Sequence, residues 1–388
     1  MKIRNCIAVL CLAALALRPA AAEYAWRGLM LDEGRFFFGK QVVKETLDRM
    51  AACGLNVFHW HLTEDQGWRL EIRRFPELTR IGAVRPGSAK VHTEDVSDGR
   101  TYGPYFYTQD DVREILRYAA ERKITVVPEI ELPGHVKALL AAHPEFSCTG
   151  KVEPKDLIPM GVQEDVLCAG NDAAIRFLEQ VFDEVCELFP GKVVHIGGDE
   201  CPKKRWKACP KCQARIKTLG LKDEKDLQAW VTHHFANYLA VKGRRAMGWD
   251  EILEGEGCPT NVIVQSWRTV SSHRREGVAE PPALAAARRG FDVVVSPVDR
   301  TYFSIPAGPD DPGEYRRPVS KYSSYITPES VRAFRPDAGF PEVLRKRVLG
   351  AECCCWSEGT RTGPILHQKT WPRAAIFAEA LSEAARAK

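Results

Sequence analysis

Carboxylate and tryptophan side chains follow several apolar runs of this sequence, at the point where each run ends. Asp199 and Glu200 follow one such run, and Trp249, Trp267 and Trp356 end three others. Neighbouring carboxyl groups can donate and accept a proton at a reacting bond. The apolar face of an indole ring can stack on the C–H face of a sugar, whose hydroxyls bind carboxylates. The combination predicts a site that binds and processes carbohydrate.

Eight apolar runs alternate with stretches that have helical spacing, and this pattern predicts the fold. Continuously apolar strands alternating with helices indicate a parallel sheet covered on both faces. Eight such units fit a (β/α)8 TIM barrel, so we expect a single α/β domain over residues 23–388. An open doubly wound sheet would need a glycine-rich phosphate turn after the first strand, and that motif is missing there. The predicted strands are 26–32, 56–62, 124–130, 193–199, 245–251, 262–268, 292–297 and 348–356. The predicted helices are 42–53, 110–122, 172–188, 224–241, 282–289 and 371–385.

A barrel brings the residues that follow its strands together at one end, where the active sites of such folds lie. We therefore expect the polar and aromatic residues after the predicted strands to share one mouth. These residues are Asp32, Arg35, Glu64, Asp65, Trp68, Glu129, Glu131, His135, Asp199, Glu200, Trp249, Asp250, Glu251, Gln265, Trp267, Arg268, Tyr302, Trp356 and Glu358.

The balance of charged residues and the pattern of residues 1–22 indicate which partners and which cellular location to expect. The 388 residues include 55 Lys plus Arg and 51 Asp plus Glu, so no strong basic footprint predicts a nucleic-acid partner. Residues 1–22 combine a basic start, an apolar run over 6–17 and Ala20-Ala21-Ala22, as a secretory signal peptide does. That run is too short to span a bilayer. We expect an exported protein, periplasmic or extracellular, with no membrane span.

Thirteen cysteines allow two kinds of cross-link. Cys148 and Cys168 flank a loop with Gly and Pro, and they form the best candidate disulfide pair. Cys201, Cys209 and Cys212 lie close together in sequence, and a Cys-x-x-Cys spacing can bind zinc, although a fourth ligand is not evident. The sequence leaves open whether the second group is bridged, metal-bound or free.

Six ordered motifs resemble glycoside hydrolase family 20, the β-N-acetylhexosaminidases. They are RGLMLD (27–32), HWHLTEDQGWR (59–69), PEIELPGH (128–135), HIGGDE (195–200), GWDE (248–251) and WSE (356–358). The resemblance extends from about Tyr24 to the C-terminus. It implies hydrolysis of a terminal β-linked N-acetylglucosamine or N-acetylgalactosamine by a catalytic domain without the accessory domain that often precedes it.

The resemblance also implies a mechanism with retained configuration and no enzyme nucleophile. The substrate's own acetamido oxygen attacks the anomeric carbon, and neither cofactor nor metal is expected. Glu200 corresponds to the general acid and base, so we expect burial and Asp199 to raise its pKa. Asp199 corresponds to the acceptor of the acetamide N–H, and Tyr302 to the donor to its carbonyl oxygen.

The family pattern assigns the walls of the sugar pocket as well. Trp249, Trp267 and Trp356 correspond to an aromatic cage around the acetamide methyl. Arg27 matches the arginine that binds O3 and O4 of the sugar, with Glu358 as its acceptor partner.

Four further positions bear on the predicted pocket. His135 and Asp65 resemble a pair that positions the acid, whereas Glu64 stands where the family usually has Asp. Ser304 replaces an Asp that usually binds O4 or O6, so we expect tolerance of a negative charge near O6. Arg300 and Arg316 or Arg317 lie in the same long loop and could supply positive charge.

Two alternatives from other classes stay open. His59 and His61 face the same way on one strand and, with His195, could form the metal site of a metal-dependent barrel hydrolase. A glycan-binding barrel without catalysis is the second alternative. The expected partner is a glycan with a terminal N-acetylhexosamine, and a homodimer is possible because family members often dimerise.

Overall fold

The computed structural model describes residues 24–88, 97–157, 161–274, 277–312 and 325–386. The predicted signal peptide lies outside these residues, as do Arg316 and Arg317. Eight parallel strands close into a barrel in the order β1-β8-β7-β6-β5-β4-β3-β2, which confirms the predicted single-domain (β/α)8 TIM barrel. The strands are β1 Trp26–Asp32, β2 Val57–His61, β3 Thr125–Glu129, β4 Val193–His195, β5 Arg245–Trp249, β6 Ile263–Ser266, β7 Asp292–Val295 and β8 Val348–Cys355.

Six helices correspond to the six that the sequence predicts: α1 Lys40–Cys53, α2 Gln109–Glu121, α3 Asp172–Leu188, α4 Glu224–Val241, α5 Pro282–Arg288 and α6 Arg373–Arg386. Helix α1 buries Val43, Leu47 and Met50, the apolar stripe that predicted it from the sequence. The side chain of Thr108 caps the start of α2 by accepting a hydrogen bond from the Asp111 amide. Sequence periodicity and capping therefore agree with the observed helix positions.

Shorter elements occupy the loops at both ends of the barrel. Two hairpins pair Thr63–Glu64 with Gly67–Trp68 and Arg85–Ser88 with Ser97–Tyr102. The other α-helices of the described residues are Glu77–Arg80, Lys137–Ala142, Lys204–Ala208, Pro210–Leu219, Val270–His273, Val298–Thr301, Pro328–Arg332, Glu342–Arg345 and Gly363–Thr370. The 3-10 turns are Pro144–Phe146, Pro154–Asp156 and Asp250–Leu253. Within the described ranges, every helix is too short or too polar to cross a membrane.

Polar side chains fill the centre of the barrel. His59 Nδ1 lies 2.7 Å from the Glu352 carboxylate and its Nε2 lies 3.0 Å from that of Glu129, which also lies 2.7 Å from His195 Nδ1. All four side chains are fully buried. Burial opposes a charge on His59, but the charges of Glu352 and Glu129 outweigh it and raise its pKa to about 9. Two of the three histidines that the sequence offered as metal ligands, His59 and His195, thus pair with carboxylates in the barrel centre, and with Glu129 they form a group that could hold a metal ion.

Candidate active site

Asp199 and Glu200 lie on a turn beyond strand β4, which ends at His195, earlier than the sequence predicts. Gly197 and Gly198 have φ angles of 64° and 99°, and Glu200 itself has a φ of 41°. A Cβ atom at Gly197 would collide with the Glu131 carboxylate, so only glycine fits there. The left-handed turn stops strand pairing and places both carboxyl groups at the mouth of the barrel. A left-handed glutamate is costly, which is typical of functional positions.

His135 lies between two pairs of carboxylates. Its Nδ1 is 2.7 Å from Glu64 and 3.2 Å from Asp65, on the hairpin after β2. Its Nε2 points the other way, 3.8 Å from Asp199 and 3.7 Å from Glu200. The structure therefore brings the predicted His135–Asp65 pair against the predicted acid. It also adds Glu64, a residue to which the family pattern assigns no role here.

The two adjacent carboxyl groups differ in acidity. Burial raises the pKa of Asp199 to about 7, opposed by His135 and reinforced by the charge of Glu200. Burial also acts on Glu200, but the nearby His135 ring and its charge, together with Arg35, hold the pKa of Glu200 below the usual value. The prediction that the pKa of Glu200 is raised is therefore wrong. The reason is that His135 is buried and its pKa is held well above the ordinary range by surrounding carboxylates, which outweigh desolvation.

Four aromatic rings line the other side of the mouth. The ring of Trp356 lies 5.7 Å from that of Trp249 and 5.9 Å from that of Tyr302, centre to centre. Trp267 stacks on Tyr302 at 6.1 Å with an interplanar angle of 17°. The structure therefore brings together the three predicted cage tryptophans and the predicted tyrosine.

Hydrogen bonds fix the orientation of two of these rings. Trp249 Nε1 donates to Glu129 at 2.9 Å, in the barrel centre, and Trp267 Nε1 donates to Glu251 at 2.9 Å. The Asp250 carboxylate accepts from the backbone amide of Trp267 at 2.9 Å. These bonds hold the indole rings in one orientation without using the faces that a sugar would contact.

Arg27 is not part of this site, and the prediction that it binds sugar is wrong. Arg27 is the second residue of β1, and its guanidinium donates to the carbonyl groups of Tyr24 and Gly54 at the opposite end of the barrel. A strand advances about 3.3 Å per residue, so the five residues to Asp32 separate Arg27 from the mouth by roughly 16 Å.

Arg35 occupies the position that Arg27 cannot reach. Its guanidinium lies 3.1 Å from Glu64, 3.4 Å from Asp32 and 5.0 Å from the centre of the Trp356 ring. Burial opposes its charge, but Glu64, Asp32 and Glu358 outweigh burial and raise the pKa of Arg35. The half-buried Glu358 thus acts on Arg35. The sequence could have identified Arg35 as the arginine of the site. Arg35 follows the end of the first predicted strand, whereas Arg27 lies at the start of that strand.

Ser304 lies two residues after Tyr302, and Phe303 between them bonds through its amide to the Cys354 carbonyl at 2.8 Å. Ser304 is partly exposed. Arg300 is exposed, and its guanidinium donates to the backbone carbonyl of Asp299. No described contact joins Arg300 to Ser304.

The assembled site has the groups for acid–base chemistry on a sugar. Burial raises the pKa of one carboxyl group to about 7, whereas the pKa of its neighbour is lowered beside a histidine whose own pKa is raised by carboxylates. Across the mouth, aromatic faces and a phenol offer apolar contact and a hydrogen-bond donor. Such a site can move a proton to or from an oxygen held between the carboxylates and the rings.

Sequence comparisons agree with this geometry. The family profile "Glycosyl hydrolase family 20, catalytic domain" matches residues 24–384. A Beta-hexosaminidase of Porphyromonas gingivalis is 42% identical over 92% of this chain and 43% of its own length. A Beta-hexosaminidase of Akkermansia muciniphila is 30% identical over 92% of this chain and 68% of its own length. The chain thus spans about half the length of several curated relatives.

Solved structures are similar as well. The GH20 exo beta-N-acetylglucosaminidase from Vibrio harveyi, in complex with N-acetylglucosamine, has a TM-score of 0.78 and 31% identity. That match covers 93% of this chain and 54% of the other. The beta-N-acetylhexosaminidase from Bacteroides fragilis has a TM-score of 0.75 and 34% identity, over 93% of this chain and 66% of the other.

Proposed function

Since the chain belongs to glycosyl hydrolase family 20, as its motifs predict, we propose that it is an exo-acting, retaining β-N-acetylhexosaminidase. Its substrate is a glycan with a terminal β-linked N-acetylglucosamine or N-acetylgalactosamine. The observation that carries the proposal is the position of Asp199 and Glu200. The two carboxyl groups follow one strand, both near His135, and face a cage of Trp249, Trp267 and Trp356.

In the proposed mechanism the acetamido oxygen of the substrate attacks the anomeric carbon while the glycosidic C–O bond breaks. Glu200 gives its proton to the leaving oxygen, and Asp199 accepts a hydrogen bond from the acetamide N–H. Tyr302 donates to the acetamide oxygen and helps to hold it near the anomeric carbon. Water then attacks the oxazolinium intermediate, and Glu200 takes a proton from it. The sugar leaves with its configuration retained.

The mechanism needs Glu200 protonated and Asp199 ionised, which is the reverse of the order of acidity that burial and His135 set, so substrate binding has to raise the pKa of Glu200. Glu200 is the more exposed of the pair, with 32% of its side chain accessible against 11% for Asp199. A sugar in the cage removes water from Glu200, which raises its pKa towards that of a general acid. Asp199 must be ionised to accept the N–H and to balance the oxazolinium charge.

We propose Arg35 in place of Arg27 as the residue that binds the sugar hydroxyls opposite the acetamide. Its guanidinium lies against Trp356, and Glu358 contributes to its charge environment. An arginine that is already fixed by Asp32 and Glu64 loses little further freedom when it binds a hydroxyl.

The test is a panel of chromogenic substrates that carry β-N-acetylglucosamine, β-N-acetylgalactosamine or β-glucose, with proton NMR of the first product formed. Both N-acetyl glycosides should release chromophore, and their sugar product should appear first as the β-anomer. The glucoside should be cleaved negligibly because it lacks the internal nucleophile. Comparable rates on the glucoside would contradict the mechanism, and absence of turnover would favour a glycan-binding barrel. Retention of full activity in EDTA would dismiss the metal-dependent alternative.

Export to the periplasm or medium remains part of the proposal, on the pattern of residues 1–22. N-terminal sequencing of the secreted protein tests it, with a mature start near residue 23 expected.

A further inference from the structure

Four cysteines that are distant in sequence meet outside the active site. Cys168 Sγ lies 3.7 Å from Cys209 Sγ and 3.8 Å from Cys212 Sγ, which in turn lies 3.8 Å from Cys148 Sγ. All four sulfur atoms lie within 4.8 Å of one another. Cys168, Cys209 and Cys212 are buried and Cys148 is partly buried.

This cluster differs from both groupings that the sequence offers. The predicted zinc trio is wrong in one member, because Cys201 does not belong to the cluster. The predicted pair of Cys148 and Cys168 supplies the two missing ligands, which precede the Cys-x-x-Cys by about sixty and about forty residues. Sequence spacing cannot show this, because the contact forms only when two loops of the barrel meet.

The distances between the sulfur atoms match those of a metal site. Zinc–thiolate bonds are about 2.3 Å, so sulfur atoms at the corners of a tetrahedron lie about 3.8 Å apart. Cys168 and Cys212 each have two sulfur neighbours at 3.7 or 3.8 Å. In a disulfide each sulfur atom has one close sulfur partner, at about 2.05 Å. Here two of the sulfur atoms each have two partners at similar distances, so no two cysteines stand out as a disulfide pair. The arrangement therefore favours one shared metal over two bridges.

The surroundings favour bound thiolates. Cys209 is the residue before the helix Pro210–Leu219, and Cys212 lies in its first turn, so both sulfurs are near the positive end of that helix. Residues 201–221 contain seven Lys and Arg and no Asp or Glu. Four thiolates and one divalent ion carry a net charge of −2, which this basic segment offsets.

The cluster joins the two segments that carry the catalytic groups. Cys209 follows Glu200 by nine residues. The loop with Cys168 bonds through the Leu167 amide to the carbonyl of Pro133, two residues before His135. The buried Trp206 Nε1 donates to the Leu167 carbonyl at 2.8 Å. A cross-link at the cluster would therefore hold the His135 segment and the Glu200 segment in register.

We propose that Cys148, Cys168, Cys209 and Cys212 bind one structural zinc ion. Four protein ligands leave no open coordination position, so the ion takes no part in hydrolysis. It cross-links the loop before α3 to the helix Pro210–Leu219. The proposal does not depend on the substrate of the enzyme.

The first experiment measures metal by plasma mass spectrometry in the purified full-length protein, expressed with added zinc and kept under argon. We expect roughly one zinc per chain, lost in Cys168→Ser and Cys209→Ser and retained in Cys258→Ser. Cys258 is a matched control because it is buried and outside the cluster. Retention of zinc in both cluster variants would overturn the proposal.

A second measurement on the unaltered protein covers the case in which the cluster variants do not fold. Cobalt exchanged for zinc should give the visible bands and the thiolate charge-transfer band of a tetrahedral four-sulfur site, and a strong chelator should lower Tm. Three outcomes would overturn the proposal. They are a mass lower by about four hydrogens with peptide mapping to two disulfides, iron in place of zinc, or metal-free protein after anaerobic reconstitution.

Discussion

The centre of the barrel and its mouth are built from the same side chains, histidine and glutamate, yet the two regions hold charge differently. In the centre, His59 lies 2.7 and 3.0 Å from Glu352 and Glu129, and all three are fully buried. At the mouth, His135 Nε2 lies 3.7 Å or more from Asp199 and Glu200, and Glu200 is partly exposed.

This difference between centre and mouth shows how one barrel can keep the residues that stabilise the fold apart from those that transfer protons. Short buried ion pairs fix the charge on each partner, so the central network cannot exchange protons without a large cost. At the mouth, burial raises the pKa of Asp199 to about 7, and the longer contact with His135 Nε2 opposes that rise only in part. Mutations in the two regions should therefore differ in effect, with those at the mouth lowering kcat and those in the centre lowering the free energy of unfolding.

The largest expected effect is at the mouth, in Glu200→Gln. An amide cannot donate the proton, so kcat should fall about 10²–10⁴-fold for substrates with poor leaving groups. Activated aryl glycosides need less protonation and should lose less. The measurement is kcat across a series of leaving groups. Equal loss across the series would mean that Glu200 only binds.

Arg35→Lys and Arg27→Lys form a matched pair at the two ends of strand β1. The first variant loses charged hydrogen bonds of about 1.5–3 kcal/mol, which corresponds to about a 10–100-fold decrease in kcat/KM. The second should change kcat/KM less than about twofold, because its contacts lie away from the mouth. A larger loss in Arg27→Lys would restore the assignment that the family motif first indicated.

Glu352→Gln tests the barrel centre. Glu352 accepts from Trp26, His59 and Gln265, so an amide there leaves a buried donor without an acceptor. We expect the free energy of unfolding to fall by about 1–3 kcal/mol, with kcat of the folded fraction within about tenfold of the original. Urea unfolding and kcat together check this. Unchanged stability with a large loss of kcat would show that the centre takes part in chemistry.

His135→Asn tests the electrostatic role of the mouth histidine. Asn tolerates the left-handed backbone of this position, where φ is 51°. Removing a cation raises the pKa of both nearby carboxyl groups, so Asp199 becomes protonated at higher pH. The acidic limb of kcat/KM should therefore move to higher pH by about one unit. A lower kcat with an unmoved limb would show that His135 only positions its neighbours.

The smallest effect is expected at Ser304→Asp. An added carboxylate near a 6-sulfate would cost about 1 kcal/mol in a partly exposed position, or roughly a fivefold lower kcat/KM for the sulfated sugar. The ratio of 6-sulfo to plain β-N-acetylglucosaminide reports this, with Ser304→Asn as an uncharged control. An unchanged ratio in Ser304→Asp would place Ser304 away from O6.

The sequence predicts most of the fold because eight apolar runs and the helix periodicity are local signals. It overestimates strand β4, because the left-handed turn at Gly197 and Gly198 ends pairing before the motif ends. It predicts that Asp199 and Glu200 share the mouth, since both follow a strand.

Other features depend on contacts that no local pattern encodes. The pKa of Glu200 depends on the distance between its carboxylate and the His135 ring, and the sequence does not show that distance. Membership of the cysteine cluster depends on two loops that meet in space. Arg27 is an error of another kind, since the sequence assigned to the sugar site a residue that lies elsewhere. A matched motif identifies a residue without showing which end of the barrel its side chain reaches.

The pairing of the first strand with the last has a consequence for synthesis. Strand β1 hydrogen-bonds to β8, from Trp26 opposite Gly350 to Leu31 opposite Cys355, and Asp32 accepts bonds from the amide and hydroxyl of Ser357. One edge of β1 therefore stays unpaired until the residues of β8, over 320 positions later, have left the ribosome. Contacts that span over 320 residues form late and slowly. Until that closure, an exposed parallel edge is open to wrong partners, so completion of the barrel is the step at which chaperone protection matters most.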